Sequence, residues 1–516
     1  MREPLPGRDC LITLAVARAR HASARAFAIT CRPSQSHENG LMTPFARSVP
    51  VLAVSFTCLT LTVGCSDVAP ERAIAPTSLP VLDRAAGDVD AELRRDLTLL
   101  GFTGRIADQL ELRLGRRVDR QLADLGRQLW FDPIQGLNND NTCGGCHSPT
   151  NGFGDTQPIA IGVDNNLIVG PGRAGPRNQR RTPMMINTAF YPTLMWNSRF
   201  HSLSGNPFDN SQGFEFPPPE ALTLSYLPQL LVAQAFIPPT ERVEAAGFEF
   251  PGDNFAIRAE VIRRLNAAPN YRQLFAKVSA GVKAGGPITY DDFARAIAEF
   301  EFTQVYANAP IDRYARGDHN ALTAGQKRGA VIFFGKGGCV TCHAVSGKSN
   351  EMFSDFTQHV AGIPQVAPSF GNVTFDGPGA NEDFGLEQVT GNSADRYAFR
   401  TSPLRNVGLQ PFFMHNGAFA RLEDAVRFHL DAVGGTASYS TSRLPADLRG
   451  PLGPSAPVLD RLDPLLRTPV ALTADEFEAL VEFLREGLLD PGASASRLKR
   501  LIPEKLPSGR PGLQFP

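Results

Sequence analysis

Two five-residue segments carry the most specific chemistry in this sequence: Cys143-Gly144-Gly145-Cys146-His147 and Cys339-Val340-Thr341-Cys342-His343. In each, one helical turn presents two thiols to the two vinyl groups of a haem, and the adjacent histidine reaches the iron from the same side. A CxxC pair alone would also suit a redox disulfide or half of a zinc site. The histidine directly after each pair points instead to c-type haem attachment at both sites. Two covalently bound haems are therefore expected, with His147 and His343 each supplying one axial ligand. The other four cysteines, Cys10, Cys31, Cys58 and Cys65, all precede residue 66, which leaves no spare thiol in the body of the chain.

The second axial position decides what each haem can do. Iron closed on both sides passes electrons, whereas iron open on one side has room for a small oxidant. Past residue 64 five further histidines are available, His201, His319, His359, His415 and His429. Spacing alone does not choose among them.

The elements that must hold these groups read as helices. A helical pattern runs from Leu93 to Phe131, with Leu122, Leu125 and Leu129 on one face, and Pro133 closes it before the first CxxC. Thr323 and Gln326 form a capping box ahead of a short helix that leads into the second CxxC, so the plan is used twice. Thr473 and Glu476 open a last amphipathic helix carrying Phe477, Leu480, Val481 and Leu484. Little of the chain alternates with period two. The expected fold is mainly α, with two cytochrome c-type haem domains and long ordered loops.

With 516 residues, 42% hydrophobic and 20% charged, the chain can build two cored domains. Lys+Arg 51 against Asp+Glu 52 gives a net charge of -1, which speaks against nucleic-acid binding. The apolar run Val49 to Gly64 suits a cleaved export signal rather than a membrane span, and Met42 is a candidate true start. Thr62-Val63-Gly64-Cys65 resembles the processing site of bacterial lipoproteins, which implies lipid anchorage through Cys65 and a periplasmic location. The expected boundaries are 1–64 for the export signal, 65–90 for a tether, 91–307 and 308–493 for the N- and C-terminal haem domains, and 494–516 for a C-terminal extension.

Four further segments carry a family resemblance. LGRQLWFDP precedes the first haem motif; RTPMMINTAFYPTLMW ends at Trp196; AQAFIPPTERVEAAGF contains Gln234 and Glu244; ADRYAFRTSPLRNVGLQPFFMHNGAFARLEDAVRFH ends at His429. In this order they resemble the bacterial di-haem cytochrome c peroxidases, including the MauG-like branch. The resemblance implies an N-terminal peroxidatic haem and a C-terminal electron-transfer haem. Trp196 then matches the tryptophan between the haems, and Gln234 and Glu244 match the polar pair on the distal side of the first haem. His415 matches a histidine near the second haem. His429 falls where the family places the second axial ligand of that haem, usually methionine or, in the MauG-like branch, tyrosine. Met414 is the rival ligand. A histidine there should lower the potential relative to methionine.

The first haem departs in the opposite direction. Val163 stands where classical members carry a removable distal histidine, and valine cannot ligate iron, so an open position is expected; His201 is the alternative ligand. The family often holds calcium between its domains through an asparagine. Arg181 occupies that place here, leaving Asn178, Asp164 or Asn165 as candidate oxygen donors.

The implied activity is reduction of hydrogen peroxide, with Glu244 moving the proton, Gln234 orienting the oxygens and Trp196 coupling the haems. The electron donor would be an exported cytochrome or cupredoxin. Two alternatives stay open: a MauG-like oxidase acting on a side chain of a protein substrate, and a non-catalytic di-haem electron-transfer lipoprotein; the segment from Phe200 to Leu230 reads first as a passive insertion and otherwise as a docking surface for such a substrate.

Overall fold

The stretch from Leu93 to Phe131 that reads as one helical pattern folds in pieces: α1 (Val89–Leu99), short turns over Ile106–Gln109 and Leu110–Leu114, then α2 (Arg120–Phe131). Gly101, Gly104 and Gly115 break the run at φ of 65 to 66°, a left-handed backbone that ends helices. Asp119 starts α2, its carboxylate accepting from the N–H groups of Gln121 and Leu122. The computed structural model describes residues 88–216, 224 and 226–515. The export segment with Met42 and Cys65, and the three prolines 217–219 of the suggested docking segment, lie outside the described residues.

Beyond α2, the helices that frame the haem motifs are α3 (Tyr290–Phe302), α4 (Ala324–Phe334), α5 (Leu422–Leu430) and α6 (Ala474–Glu482). The boxes expected at Thr323–Gln326 and Thr473–Glu476 both close, with side chain and backbone reciprocally bonded. The packing is repeated: α2 lies on α3, and α4 on α6. At each contact a glycine lets the backbones meet, since a Cβ on Gly126 would sit 1.8 Å from the Ala296 carbonyl and one on Gly329 2.0 Å from that of Ala479. Gly126→Ala and Gly329→Ala should each lower stability by about 1–3 kcal/mol, read as an earlier denaturant midpoint of the holoprotein. The strands are short: β1 (Thr193–Leu194), β2 (Phe200–Ser202) and β3 (Phe214–Glu215) form one antiparallel sheet, and β4 (Gln358–His359) pairs with β5 (Phe399–Arg400). Helices and long loops thus make up the fold, as expected.

Two main cores result. Leu125, Leu129, Trp130, Phe293 and Phe300 belong to one, and Phe333, Phe353, Phe477, Leu480 and Phe483 to the other. The expected division at 307/308 is crossed at both ends of the chain. Leu93 and Leu97 of α1 bury in the second core, where Tyr314 donates to Asp90 at 2.8 Å and Lys327 pairs with Asp90 at 2.8 Å. The C-terminal extension returns to the first core: Leu498 is buried there, Ser508 donates to Asp132 at 2.7 Å, and Phe515 meets Phe131 edge to face. Gln514 exchanges backbone hydrogen bonds with Leu167 and Val169 at 2.8 Å. Amphipathic faces find their nearest uncovered apolar partners, and chain order does not constrain which core that is.

A second repeat follows the haem motifs, one copy after each. Arg181–Phe200 and Arg400–Phe419 share their backbone path: Asn187 and Asn406 have φ of 67 and 61°, Met195 and Met414 of 65 and 71°, Ser198 and Gly417 of 60 and 64°. The copies are cross-linked. The Arg181 N–H donates to the His415 carbonyl at 2.7 Å, and the Arg400 N–H to that of Trp196 at 2.8 Å. Asn187 and Asn406 both donate their side-chain amide to one carbonyl, that of Tyr306, each at 3.0 Å. Below this junction Arg405 grips Asp312 with two bonds of 2.7 and 2.8 Å, both side chains essentially without solvent exposure.

Candidate functional site: two haem cavities

Thr142 begins the first motif, its hydroxyl accepting from the Gly145 N–H at 3.1 Å at the start of the turn Cys143–Cys146. The chain then reverses through Phe153, at φ 54°, which brings its carbonyl to Nδ1 of His147 at 2.9 Å. The second motif repeats this device. Gly338 at φ 66° opens the turn Cys339–Thr341, and Phe353 at φ 58° offers its carbonyl to Nδ1 of His343 at 3.1 Å. A carbonyl only accepts, so Nδ1 carries the proton in both rings and Nε2 is left for a metal. Burial pushes the Cys143 and Cys339 thiols up to about 12 and Cys146 to about 11. Such thiols are poor redox nucleophiles and well placed as neutral thioethers.

Each motif lines its own cavity. The first, of about 300 Å³, holds Cys143, Cys146, His147, Gln234, Glu244 and Trp196 on its walls. The second, of about 360 Å³, is lined by Cys339, Cys342, His343, Met414, His415 and His429. Trp196 borders both and donates its indole N–H to the Arg181 carbonyl at 2.7 Å.

In the second cavity α5 aims His429 at His343. Its Nδ1 donates to the Ala425 carbonyl at 2.9 Å, again freeing Nε2, and the two ring centres stand 6.3 Å apart. Two imidazoles bound on opposite sides of one metal, with bonds of about 2.0 Å, have centres roughly 6 Å apart. The pair therefore fits a single iron between them. Met414 borders the same cavity at φ 71°. His415 lies flat on Phe399, ring centres 3.6 Å apart, and burial pushes it down to about 4.

The first cavity is different. His147 is the sole histidine among the described residues that lines it. Val163 is fully buried elsewhere, its N–H bonded to the Val243 carbonyl at 3.2 Å, and His201 sits on β2 with Nε2 3.3 Å from Glu215. Glu244 projects from the widened turn Arg242–Ala246, a helical irregularity frequent at functional sites. Arg242 fixes that turn by donating to the carbonyls of Gly247, Phe250 and Gly252, and Asn141 donates to the Glu244 carbonyl at 2.6 Å. Glu244 is half-buried and lines the cavity. Burial, with the Glu241 carboxylate adding and Arg199 opposing, pushes it up to about 7. Gln234, the last residue of the helix Leu230–Gln234, faces the same space.

Of the candidate calcium donors, Asn178 lines the first cavity with its Oδ1 unpartnered, the Asp164 N–H and the Asn165 side-chain amide donate to Asp140, and the neighbouring Arg181 brings a guanidinium. Among the described residues one group of three acidic, thiol or imidazole side chains lies close enough to share an ion, Cys342, Asp355 and His359, and it includes a haem thiol. Residues not anticipated also face the cavities. Trp130 packs 5.6 Å from His147, and the buried Glu301 is pushed up to about 8 by desolvation. Arg181 and Arg400 line both cavities. The repeat of RTPMMIN in RTSPLRN was the signal that could have singled out these arginines.

A mainly helical scaffold with two CxxCH cavities abutting at one tryptophan defines a di-haem c-type protein. Comparison with known proteins names the class. The family described as di-haem cytochrome c peroxidase matches residues 120–320. The cytochrome c551 peroxidase of Pseudomonas aeruginosa is 28% identical over 343 residues, covering 66% of this chain and 80% of that protein. The methylamine utilization protein MauG of Methylorubrum extorquens is 29% identical over 299 residues, covering 58% and 65%. In fold, the chain is similar to a MauG-like protein associated with microbial copper homeostasis, at TM-score 0.52, 22% identity and coverage of 74% and 93%. It is also similar to the diheme peroxidase BthA of Burkholderia thailandensis, at TM-score 0.50, 19% identity and coverage of 78% and 91%. By its family-model match and its relatives the chain is similar to the di-haem cytochrome c peroxidases and the MauG-like proteins.

Proposed function

We propose that this protein reduces hydrogen peroxide at the first haem, drawing electrons through the second from an exported cytochrome or cupredoxin. The observation that carries this reading is the inequality of the two cavities: the second closes on a pair of facing imidazoles, while the first offers one imidazole and a carboxyl. Bound haem iron supplies the redox centre at which the peroxide oxygen–oxygen bond breaks. Glu244 would take a proton from peroxide and return it to the oxygen that departs as the first water, and two further protons and the two donor electrons would carry the other oxygen to a second water. Gln234 orients the peroxide by hydrogen bonding, and Trp196, which borders both cavities, couples them. The domains assigned are 91–307 for peroxide and 308–493 for electron transfer, with α1 and the extension exchanged between their cores.

Electron paramagnetic resonance of the resting protein tests the inequality, and rapid mixing with peroxide tests the activity. One high-spin and one low-spin iron, with spectral change on mixing, is the expected result; two low-spin irons and no reaction in any redox state would leave only electron carriage. His429→Ala should convert the low-spin signal to high-spin and leave the first haem's signal in place. His429→Met should keep that centre low-spin and raise its midpoint potential.

A further inference from the structure

Arg181 and Arg400 hold equivalent places in the repeated segments, and both border both cavities. Each is 4% exposed. Arg181 donates to two neutral acceptors, the Asp155 carbonyl at 2.8 Å and Oε1 of Gln410 at 2.6 Å, and its Nε has no partner. Arg400 likewise donates to the carbonyls of Met195 and Thr401, at 3.0 and 3.2 Å. The nearest acids are committed elsewhere. Asp155 accepts from the N–H groups of Gln157 and Thr182, Asp355 pairs with His359, and Asp383 is gripped by Arg180. Two buried cations without a carboxylate each cost several kcal/mol unless an anion joins them.

The cavities show where that anion comes from. Cys143 and Cys146 line only the first and Cys339 and Cys342 only the second, whereas the wall common to both contains Arg181, Arg400, Trp196, Tyr191, Pro183 and Met184. A haem carries its two carboxylates on the side of the ring remote from the vinyl groups that join the cysteines. With its vinyl edge at the thiols, each haem would carry those carboxylates away from the cysteines, and Arg181 and Arg400 are the cations on the wall that both cavities share.

We propose that Arg181 and Arg400 are built-in counter-ions for the haem carboxylates at this junction, and that Arg181 supplies the positive charge that a calcium ion would otherwise bring there. The inference rests on both CxxCH motifs carrying haem. Crosswise backbone bonds, Arg181 to His415 and Arg400 to Trp196, tie together the two segments that carry these guanidiniums. A covalent cation needs no uptake from solution, so the haem environment is independent of calcium supply.

Arg181→Gln, Arg400→Gln and Arg181→Lys test this, with haem counted by pyridine haemochrome and midpoint potentials followed against pH by spectroelectrochemistry. Thioethers should retain both haems. Loss of a positive charge favours the more positive ferric state, so midpoints fall in both Gln variants. The redox-linked carboxylate ionisation moves up by about 1–3 pH units, while Arg181→Lys stays near wild type. Two haems with unchanged midpoints and pH profiles in both Gln variants would overturn the inference, as would a Lys variant shifted as far as the Gln one. Wild-type protein lacking haem would instead overturn the haem reading itself. A last arm uses wild type alone: midpoints unaltered by a calcium chelator, and no stoichiometric calcium by elemental analysis, support the substitution, and a chelator-sensitive midpoint or one retained calcium refutes it.

Discussion

Glu244→Gln should leave both haem spectra in place and slow the reaction with peroxide by about 10²–10⁴-fold, the usual contribution of a positioned acid–base group. Glutamine keeps the shape of the side chain but cannot take a proton and give it back. The pH profile sharpens the test. The carboxyl is raised to about 7 by burial and by Glu241, so its basic form is scarce well below that pH and complete well above it. The bimolecular rate with peroxide should therefore climb through about pH 7 to a plateau, and the Gln variant should lose that step. Glu241→Gln removes the second cause of the shift and should move the step to lower pH, with Arg199 then left without its 2.9 Å partner. Stopped-flow absorbance of the first haem is the measurement. A Glu244→Gln protein as fast as wild type would remove the carboxyl from the mechanism.

Arg405→Ala should be the most damaging single change to stability, lowering it by about 3–5 kcal/mol, because it strands the Asp312 carboxylate in the interior. Arg405 is 1% and Asp312 0% exposed, and the guanidinium also donates to the Glu351 carbonyl at 2.7 Å. Asp312 in turn accepts from the Ala309 N–H at 2.8 Å, so the change reaches the start of the helix Pro310–Ala315. Denaturant titration followed by haem absorbance measures the loss. Combining Arg405→Met with Asp312→Asn should recover much of it, since the unpaired charge and not the missing bond carries most of the penalty. A double variant as unstable as Arg405→Ala would show that packing around the pair dominates.

The chemistry-bearing residues were readable because their constraints are local. CxxCH is set by the span of a porphyrin, and the capping boxes at Thr323 and Thr473 are set within one helical turn. His429 was readable through its place in the resemblance, and the structure puts its ring opposite His343. What escaped depends on contacts between distant segments. Nothing near α1 shows that Leu93 and Leu97 belong with α4, and the glycines at 101, 104 and 115 were read through as helix. The repeat around Trp196 and His415 was visible only as scattered identities such as Arg181/Arg400, Asn187/Asn406 and Met195/Met414, which the shared left-handed backbone positions make plain. Arg181 was read as a defective calcium position; its burial beside two cavities, invisible in one dimension, gives it a role of its own.

The path of the last residues has a practical consequence. Gly145, inside the first CxxCH, lies so close to Leu513 that an added Cβ would come within 2.8 Å of it, and Phe515 covers Phe131 beside the same turn. Residues 513–515 thus pack against the turn that carries the first pair of thiols, although most of the chain separates them. Disturbing Leu513 or Phe515 would loosen that turn, and a maturation defect confined to one of the two chromophores is what the disturbance would produce.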